Sequence, residues 1–366
     1  MTHAIAYHPR RPRFLVDGER MSGRGPERKP YHAHPALIAA ANVALTCRLP
    51  LLLTGEPGCG KTDFAFALAR KLHDLHPRDW ISPEPLQCNV RSDSRARDLL
   101  YHYDAVGRFA DAQLRSAARD TEVEVLPDDP CHYIELDGLG AALAATSPRV
   151  VLIDEIDKAP RDLPNDLLQP LDRRGFEIPE IPPDHGSAAR PCRSKTNQFR
   201  RSMGRPTSGD APEDRTPPLV VITSNVERQL PDPFLRRCVF FHIEFPDDAS
   251  LKKIMRDWVG GDEDDSLRDR ALRVFRALRH KLLALAKRPT TSELIAWTQA
   301  LVQVFDPAAA RRSLDAFCAK LDAAEKGSGT LAALPWSTLP VLGCLVKLRE
   351  DLEHLGVTVV GSESAR

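Results

Sequence analysis

The sequence predicts an α/β core built on a parallel sheet, followed by an all-helical region. Three observations predict it. A glycine-rich loop lies between the apolar run Leu51-Leu52-Leu53 and a stretch with few helix breakers, Asp63 to His73. A second apolar run, Val150-Val151-Leu152-Ile153, ends in Asp154 and Glu155. Beyond Ser266 the apolar residues recur at helical spacing. Strands buried on both faces read as continuous apolar runs, and open α/β sheets bind ligands at the carboxyl ends of those strands.

The loop is Gly55, Glu56, Pro57, Gly58, Cys59, Gly60, Lys61 and Thr62, which fits the phosphate-binding pattern G-x-x-x-x-G-K-[ST]. A strand, a glycine turn and a helix start form an anion cradle, because backbone N–H groups and the positive helix end surround the phosphates. Lys61 adds a point charge, and Thr62 supplies a hydroxyl to Mg²⁺. Cys59 reads as a small residue tolerated within the loop, or as a thiol whose oxidation blocks nucleotide.

Asp154 and Glu155 sit where the second strand meets the ligand edge. Asp154 is suited to hold the Mg²⁺ water shell, and Glu155 to polarise a water for attack on the γ-phosphate. A third apolar run, Leu219-Val220-Val221-Ile222-Thr223-Ser224, ends in Asn225. That Asn either positions the attacking water or serves as a turn former. An ATP-hydrolysing site with ATP and Mg²⁺ as cofactors is the consequence.

Composition sets the limits. A chain of 366 residues, 42% hydrophobic and 28% charged, can bury a sizeable core, and its length suggests two domains. The formal net charge of zero gives no global pull toward nucleic acid or anionic membrane. The eight cysteines include no C-x-x-C pair, which argues against a zinc site and a disulfide framework. No apolar run approaches the roughly 18 to 20 residues of a membrane span, and the N-terminus lacks a signal-peptide core, so a soluble cytoplasmic protein is expected.

Along the chain, residues 1–34 read as a basic flexible arm, 35–245 as the nucleotide-binding core and 246–366 as a helical lid with C-terminal helices. Residues Arg91 to Arg119 read as largely helical, broken at Gly107. Pro164 is tolerated in a first helical turn, whereas Pro170 marks a kink or an end. The proline-rich segment at about 179–218 holds Arg190, Arg193, Lys195, Arg200, Arg201 and Arg205 without an intervening acid, and is expected as a surface loop. It is either a solvated insertion or a contact for nucleic acid or an acidic partner. Ser266 to Leu285 is expected as one helix, and Thr290 to Glu293 as the capping box of the next. Arg236 and Arg237, before the apolar strand Val239 to Ile243, are poorly placed for the chain's own nucleotide and can reach a neighbour's.

In this order, the phosphate loop, the strand with Asp154-Glu155, Ile156-Asp157-Lys158-Ala159-Pro160, the strand ending in Asn225, and Arg236-Arg237 together resemble the MoxR group of AAA+ ATPases, over roughly residues 35–300. The resemblance implies an α/β P-loop AAA+ core with a C-terminal all-α lid, in a homo-oligomeric ring, expected as a hexamer, with sites between subunits. It makes Asp154 and Glu155 the Mg²⁺ and water-activating carboxylates and Asn225 the first sensor. Arg237 becomes the arginine finger, with Arg236 as the alternative. It further implies an insert near 105–118 and a hairpin within 176–217. It also implies chaperone-like remodelling of a protein client, often beside a partner with a von Willebrand factor A domain. One departure stands out: Glu293 occupies the helix start where related ATPases carry a second-sensor arginine, leaving Lys287 or Arg288 as replacements or as a solvated helix end. The basic segments keep a DNA-linked motor or restriction-type ATPase as one alternative, with nucleic acid not favoured. The departure keeps a nucleotide-regulated scaffold with little turnover as another.

Overall fold

The structure is a computed structural model that describes residues 21–22, 29–80, 82–117, 130–145, 147–181, 190–191, 193–194, 202–203, 217–225, 227–259, 265–326 and 330–357. Most of the basic arm and most of the Pro/Arg-rich segment lie outside the described residues. The chain divides into two compact units. The first comprises Met1–Gly55 and Lys61–Ile243, and the second comprises Glu56–Gly60 and Glu244–Arg366.

The first unit is built on a five-stranded parallel sheet. Its strands are β1 (Leu51–Thr54), β2 (Leu86–Asn89), β3 (Val150–Asp154), β4 (Leu219–Ser224) and β5 (Val239–His242), in the spatial order β5-β1-β4-β3-β2. Burial follows from position. The inner strands β1 and β4 are buried throughout, and β3 along all but Asp154, whereas edge strand β2 alternates between buried and exposed residues. Alternate residues feed two cores. Leu52, Val151, Ile153, Val220 and Ile222 join one, with Leu99, Leu139, Leu163 and Phe234. Leu51, Leu53, Val150, Leu152 and Val221 join the other, against the helices Pro35–Cys47 and Lys61–Leu75. Each fully buried Leu or Ile contributes on the order of 1.5 to 3 kcal/mol. Register therefore matters twice, since slipping β3 or β4 by one residue would exchange both faces and move the charged strand ends.

The structure corrects two local readings and locates the kink expected at Pro170. The stretch from Arg91 is interrupted at Tyr101–Tyr103, not at Gly107. Tyr101-His102-Tyr103 favours extended backbone and pairs antiparallel with Ile134–Leu136, while Gly107 lies in the first turn of the helix Ala105–Ala117, its N–H capped by Asp104 Oδ1 at 2.8 Å. The helix break before Pro170 falls at Leu167, between Leu163–Asp166 and Leu168–Arg173, because proline has no N–H for the carbonyl four residues back. Within the segment read as a loop, Arg190–Pro191 pairs with Ser202–Met203, and Arg193–Ser194 extends the small sheet at Glu135–Leu136, satisfying an otherwise open edge.

The second unit is helical from Asp248 onward, with helices Asp248–Val259, Asp265–Leu278, Thr291–Gln303, Pro307–Lys326 and Arg349–His354. Leu251, Met255, Leu267, Phe275, Trp297, Phe317 and Trp336 are among its core residues. The helix expected over Ser266 to Leu285 ends at Leu278. A 3-10 turn, Lys281–Leu283, follows, and Ala284 at φ 47° redirects the chain so that Leu283 and Leu285 are both buried. The capping box forms: Thr290 Oγ1 accepts from the Glu293 N–H, and Glu293 Oε2 accepts from the Thr290 N–H at 2.7 Å. Among the described residues no helix is long and apolar enough to cross a membrane.

Candidate active site

Parallel register brings the carboxyl ends of the inner strands together: Thr54 pairs with Ser224, and Ile153 with Ile222. Between β1 and the helix Lys61–Leu75 runs the glycine loop. Gly55, Gly58 and Gly60 have φ of 150°, 73° and 92°, conformations that residues with a Cβ rarely adopt. The Cys59 N–H closes a turn on the Glu56 carbonyl at 3.3 Å, and the Cys59 thiol is buried, which disfavours its oxidation. Pro57 lies exposed at the turn. Lys61 is buried, and its ammonium donates to the Gly55 carbonyl at 2.8 Å. A buried cation at the positive end of a 15-residue helix is a site that selects anions.

Thr62 and Asp154 meet across the strand edge. Thr62 Oγ1 donates to Asp154 Oδ1 at 3.0 Å. Thr223, within β4, donates to the same Oδ1 at 2.5 Å and accepts the Glu155 N–H at 2.9 Å. A hydroxyl beside a carboxylate is a hard-oxygen donor set, the kind Mg²⁺ takes together with waters and substrate phosphates. No cluster of three or more His, Cys, Asp or Glu residues suited to a metal occurs among the described residues. A Mg²⁺ held chiefly by water and phosphate needs none.

Glu155 is in the left-handed region, φ 55° and ψ 51°. Such backbone is unfavourable for a residue with a Cβ, and strain of this kind collects at functional sites. Here the Thr223 hydrogen bond fixes the turn. Among the described residues the carboxylate has two side-chain partners: Asn225 Nδ2 at 3.4 Å from Oε1 and Lys158 Nζ at 2.5 Å from Oε2. Asn225 is itself anchored, its N–H donating to both carboxylate oxygens of Asp157 at 3.2 Å. Asp157, buried to 3% exposure, also accepts the Glu227 N–H at 3.1 Å. Burying a carboxylate is costly unless its oxygens are hydrogen-bonded in this way.

Glu155, Asn225, Asp154, Thr62 and Lys61 thus converge on one sheet edge. Arg237 lies apart from that cluster's hydrogen bonds: its Nε pairs with Asp172 at 2.9 Å, and both side chains are about half exposed. Arg236 is exposed. In the second unit, Lys287 and Arg288 are exposed, and the Lys287 N–H donates to the buried carboxylate of Asp351. Thr223, Asp157 and Lys158 were not foreseen as site residues. Thr223 and Lys158 could have been flagged as polar residues beside the Asp-Glu and Asn motifs, but their partners depend on register.

A parallel sheet with a phosphate loop on one strand and an Asp-Glu pair on another defines a P-loop nucleotide hydrolase. Residues 50–225, slightly less than half of the chain, match the AAA domain of the dynein-related subfamily, and the fold is that of a P-loop AAA+ core with ATPase activity. No curated protein sequence gives a significant match. Solved structures that are similar include the FIGL-1 AAA domain in complex with ADP, at 15% identity and TM-score 0.31 over 86% of this chain and 74% of that one. Another is PCH-2 of C. elegans, at 16% identity and TM-score 0.28 over 87% of this chain and 66% of that one.

Proposed function

We propose that the chain is a MoxR-like AAA+ ATPase that hydrolyses ATP in a homo-oligomeric ring, a hexamer in the family it resembles, and uses the cycle to remodel a partner protein. The observation that carries the hydrolytic part is the carboxylate of Glu155, set by Thr223 and flanked by Asn225. In this reading Lys61 and the loop N–H groups hold the β- and γ-phosphates, and Thr62 and Asp154 would hold a Mg²⁺ that would supply charge neutralisation at the phosphoryl oxygens. Glu155 accepts the proton of the attacking water, and Asn225 orients it.

The exposed, weakly paired Arg237 supports a finger acting on a neighbour's nucleotide, because a solvent-exposed ion pair such as Arg237–Asp172 contributes at most about 1 kcal/mol and exchanges readily. A protein client is supported by Val106, Phe109 and Leu114, apolar side chains 63% to 81% exposed on the helix Ala105–Ala117. A von Willebrand factor A domain protein is the client class that the MoxR resemblance favours. The cysteines Cys47, Cys59, Cys88, Cys131, Cys238, Cys318 and Cys344 are free thiols, in keeping with a cytoplasmic setting.

Steady-state hydrolysis of Mg-ATP tests the reading. Wild type should turn over, and Lys61→Ala should lose both nucleotide binding and turnover. Equal turnover by the two would refute it. Glu155→Gln, loaded with ATP, should capture a protein client from the host, whereas stimulation by DNA that falls steeply with salt would redirect the function to nucleic acid.

A further inference from the structure

The second compact unit contains Glu56–Gly60 of the phosphate loop together with Glu244–Arg366, and within it the loop is held by two side chains that no phosphate-loop motif specifies. Arg279 immediately follows the helix Asp265–Leu278. Its side chain is only 10% exposed, and its Nη2 donates to Glu56 Oε2 at 2.5 Å. Its Nη1 donates to the Pro289 carbonyl at 2.6 Å, and the guanidinium lies 3.6 Å over the Phe245 ring. Three contacts of different kinds leave this planar group little rotational freedom, so it acts as a fixed donor toward the loop.

The second contact is steric. A Cβ at Gly58 would lie 2.7 Å from Thr290 Cβ. Thr290 is immobilised by its capping box with Glu293, and the segment leading to it is fixed by Asp351, which accepts the Ala286 N–H at 2.8 Å and the Lys287 N–H at 3.1 Å. The loop is therefore closely packed at Gly58, where a side chain would not fit, and tethered at Glu56 by groups that part-buried polar bonds hold in place.

We infer that Arg279 is a positioning residue for nucleotide binding: through Glu56 and the Pro289 carbonyl it holds the phosphate loop in the conformation that receives the phosphates. The inference rests on the ATPase reading above. Anion binding by backbone N–H groups depends on their pre-alignment, and an unbraced loop must be ordered when the nucleotide binds. Loss of the brace should therefore appear in affinity, not in the chemical step.

The test measures binding of a fluorescent ADP analogue, then KM and kcat for ATP, for wild type, Arg279→Met, Glu56→Gln, the double variant and Arg276→Met. Arg276 lies in the same helix region and pairs with Asp248, with no bond to the loop, so it controls for loss of an ion pair. Arg279→Met should weaken ADP binding and raise KM by about tenfold, the scale of one lost charge-assisted hydrogen bond, with kcat within about twofold. The double variant should bind no worse than Arg279→Met, because both substitutions break one interaction. Arg276→Met should bind as wild type does. ADP affinity of Arg279→Met within twofold of wild type would overturn the inference, as would effects that multiply in the double variant. If Arg279→Met fails to fold, Glu56→Gln, altered only at a half-exposed carboxylate, carries the test: wild-type affinity in it overturns the inference. Failure of wild type itself to bind ADP counts against the ATPase reading instead.

Discussion

Lys158 Nζ lies 2.5 Å from Glu155 Oε2, nearer than any other side-chain partner of that carboxylate among the described residues. The hydrogen bond to Glu155 is the largest influence on Lys158 and raises its pKa above the ordinary lysine value. A raised pKa means that the pair's contribution is fully present below the ordinary value and is lost only as pH climbs through the raised one. Neutral and mildly alkaline pH therefore leave the pair intact, and only movement of Lys158 or of Glu155 releases the carboxylate.

The Lys158 ammonium occupies Glu155 Oε2 and competes with water for that oxygen. Lys158→Met should raise the basal kcat for ATP by roughly two- to fivefold, the scale of one solvent-exposed charge, with ADP affinity unchanged. Steady-state kinetics check this, and a fall in kcat would identify Lys158 as an aid to catalysis.

Asp157 supports Asn225 through the backbone. Asp157→Ala leaves the N–H groups of Asn225 and Glu227 without their acceptor and should destabilise the fold by about 2 to 3 kcal/mol, read by chemical denaturation. In the folded protein kcat should fall while Mg-ATP affinity holds, since Asp157 touches neither the phosphate loop nor Asp154 in any described hydrogen bond.

Tyr101 gives a spectroscopic handle on the core outside the active site. Burial, followed by its hydrogen bond to Glu180 at 2.8 Å, raises its pKa from 10.0 to about 12. The folded state therefore holds the phenolic proton more tightly, and this stabilisation is present below pH 10 and lost as pH rises through about 12. Ultraviolet titration of wild type minus Tyr101→Phe should show one phenol ionising near the upper value. A transition near 10 would place Tyr101 in solvent.

If Arg237 acts on a neighbouring subunit, Arg237→Ala should bind ATP yet lose turnover, and mixing it with Lys61→Ala subunits should restore part of the activity. An arginine supplied in trans is worth on the order of 10³ to 10⁵ in rate, so even a minority of complete sites is measurable. No recovery at any ratio, with mixed assemblies confirmed, would place the residue elsewhere.

The central sheet was legible because its inner strands are continuous apolar runs and its loop has a fixed residue spacing. Asp154, Glu155 and Asn225 stand out as candidates because each follows such a run, and Lys61 and Thr62 because the loop's spacing places them. The hydrogen-bond partners of Thr223 and Asp157 were not legible, because they are brought close only by pairing β4 with β3. Arg279 is further still from prediction: it lies 223 positions from Glu56, and its side chain is directed by the Phe245 ring and a carbonyl, neither of which leaves a periodic signal. The expectation of one long helix to Leu285 missed it for the same reason, since apolar spacing continues past Leu278 although the backbone does not.

In the function proposed above, Glu155 activates water for attack on ATP. A single-turnover assay with Mg-ATP on wild type and Glu155→Gln measures that step apart from nucleotide exchange. The substitution keeps the side chain's shape and its capacity to accept from Asn225 while removing the base. Glu155→Gln should bind ATP as tightly as wild type and cleave it at least about a hundredfold more slowly, the lower range for loss of a general base. Equal cleavage rates in the two proteins would contradict the account.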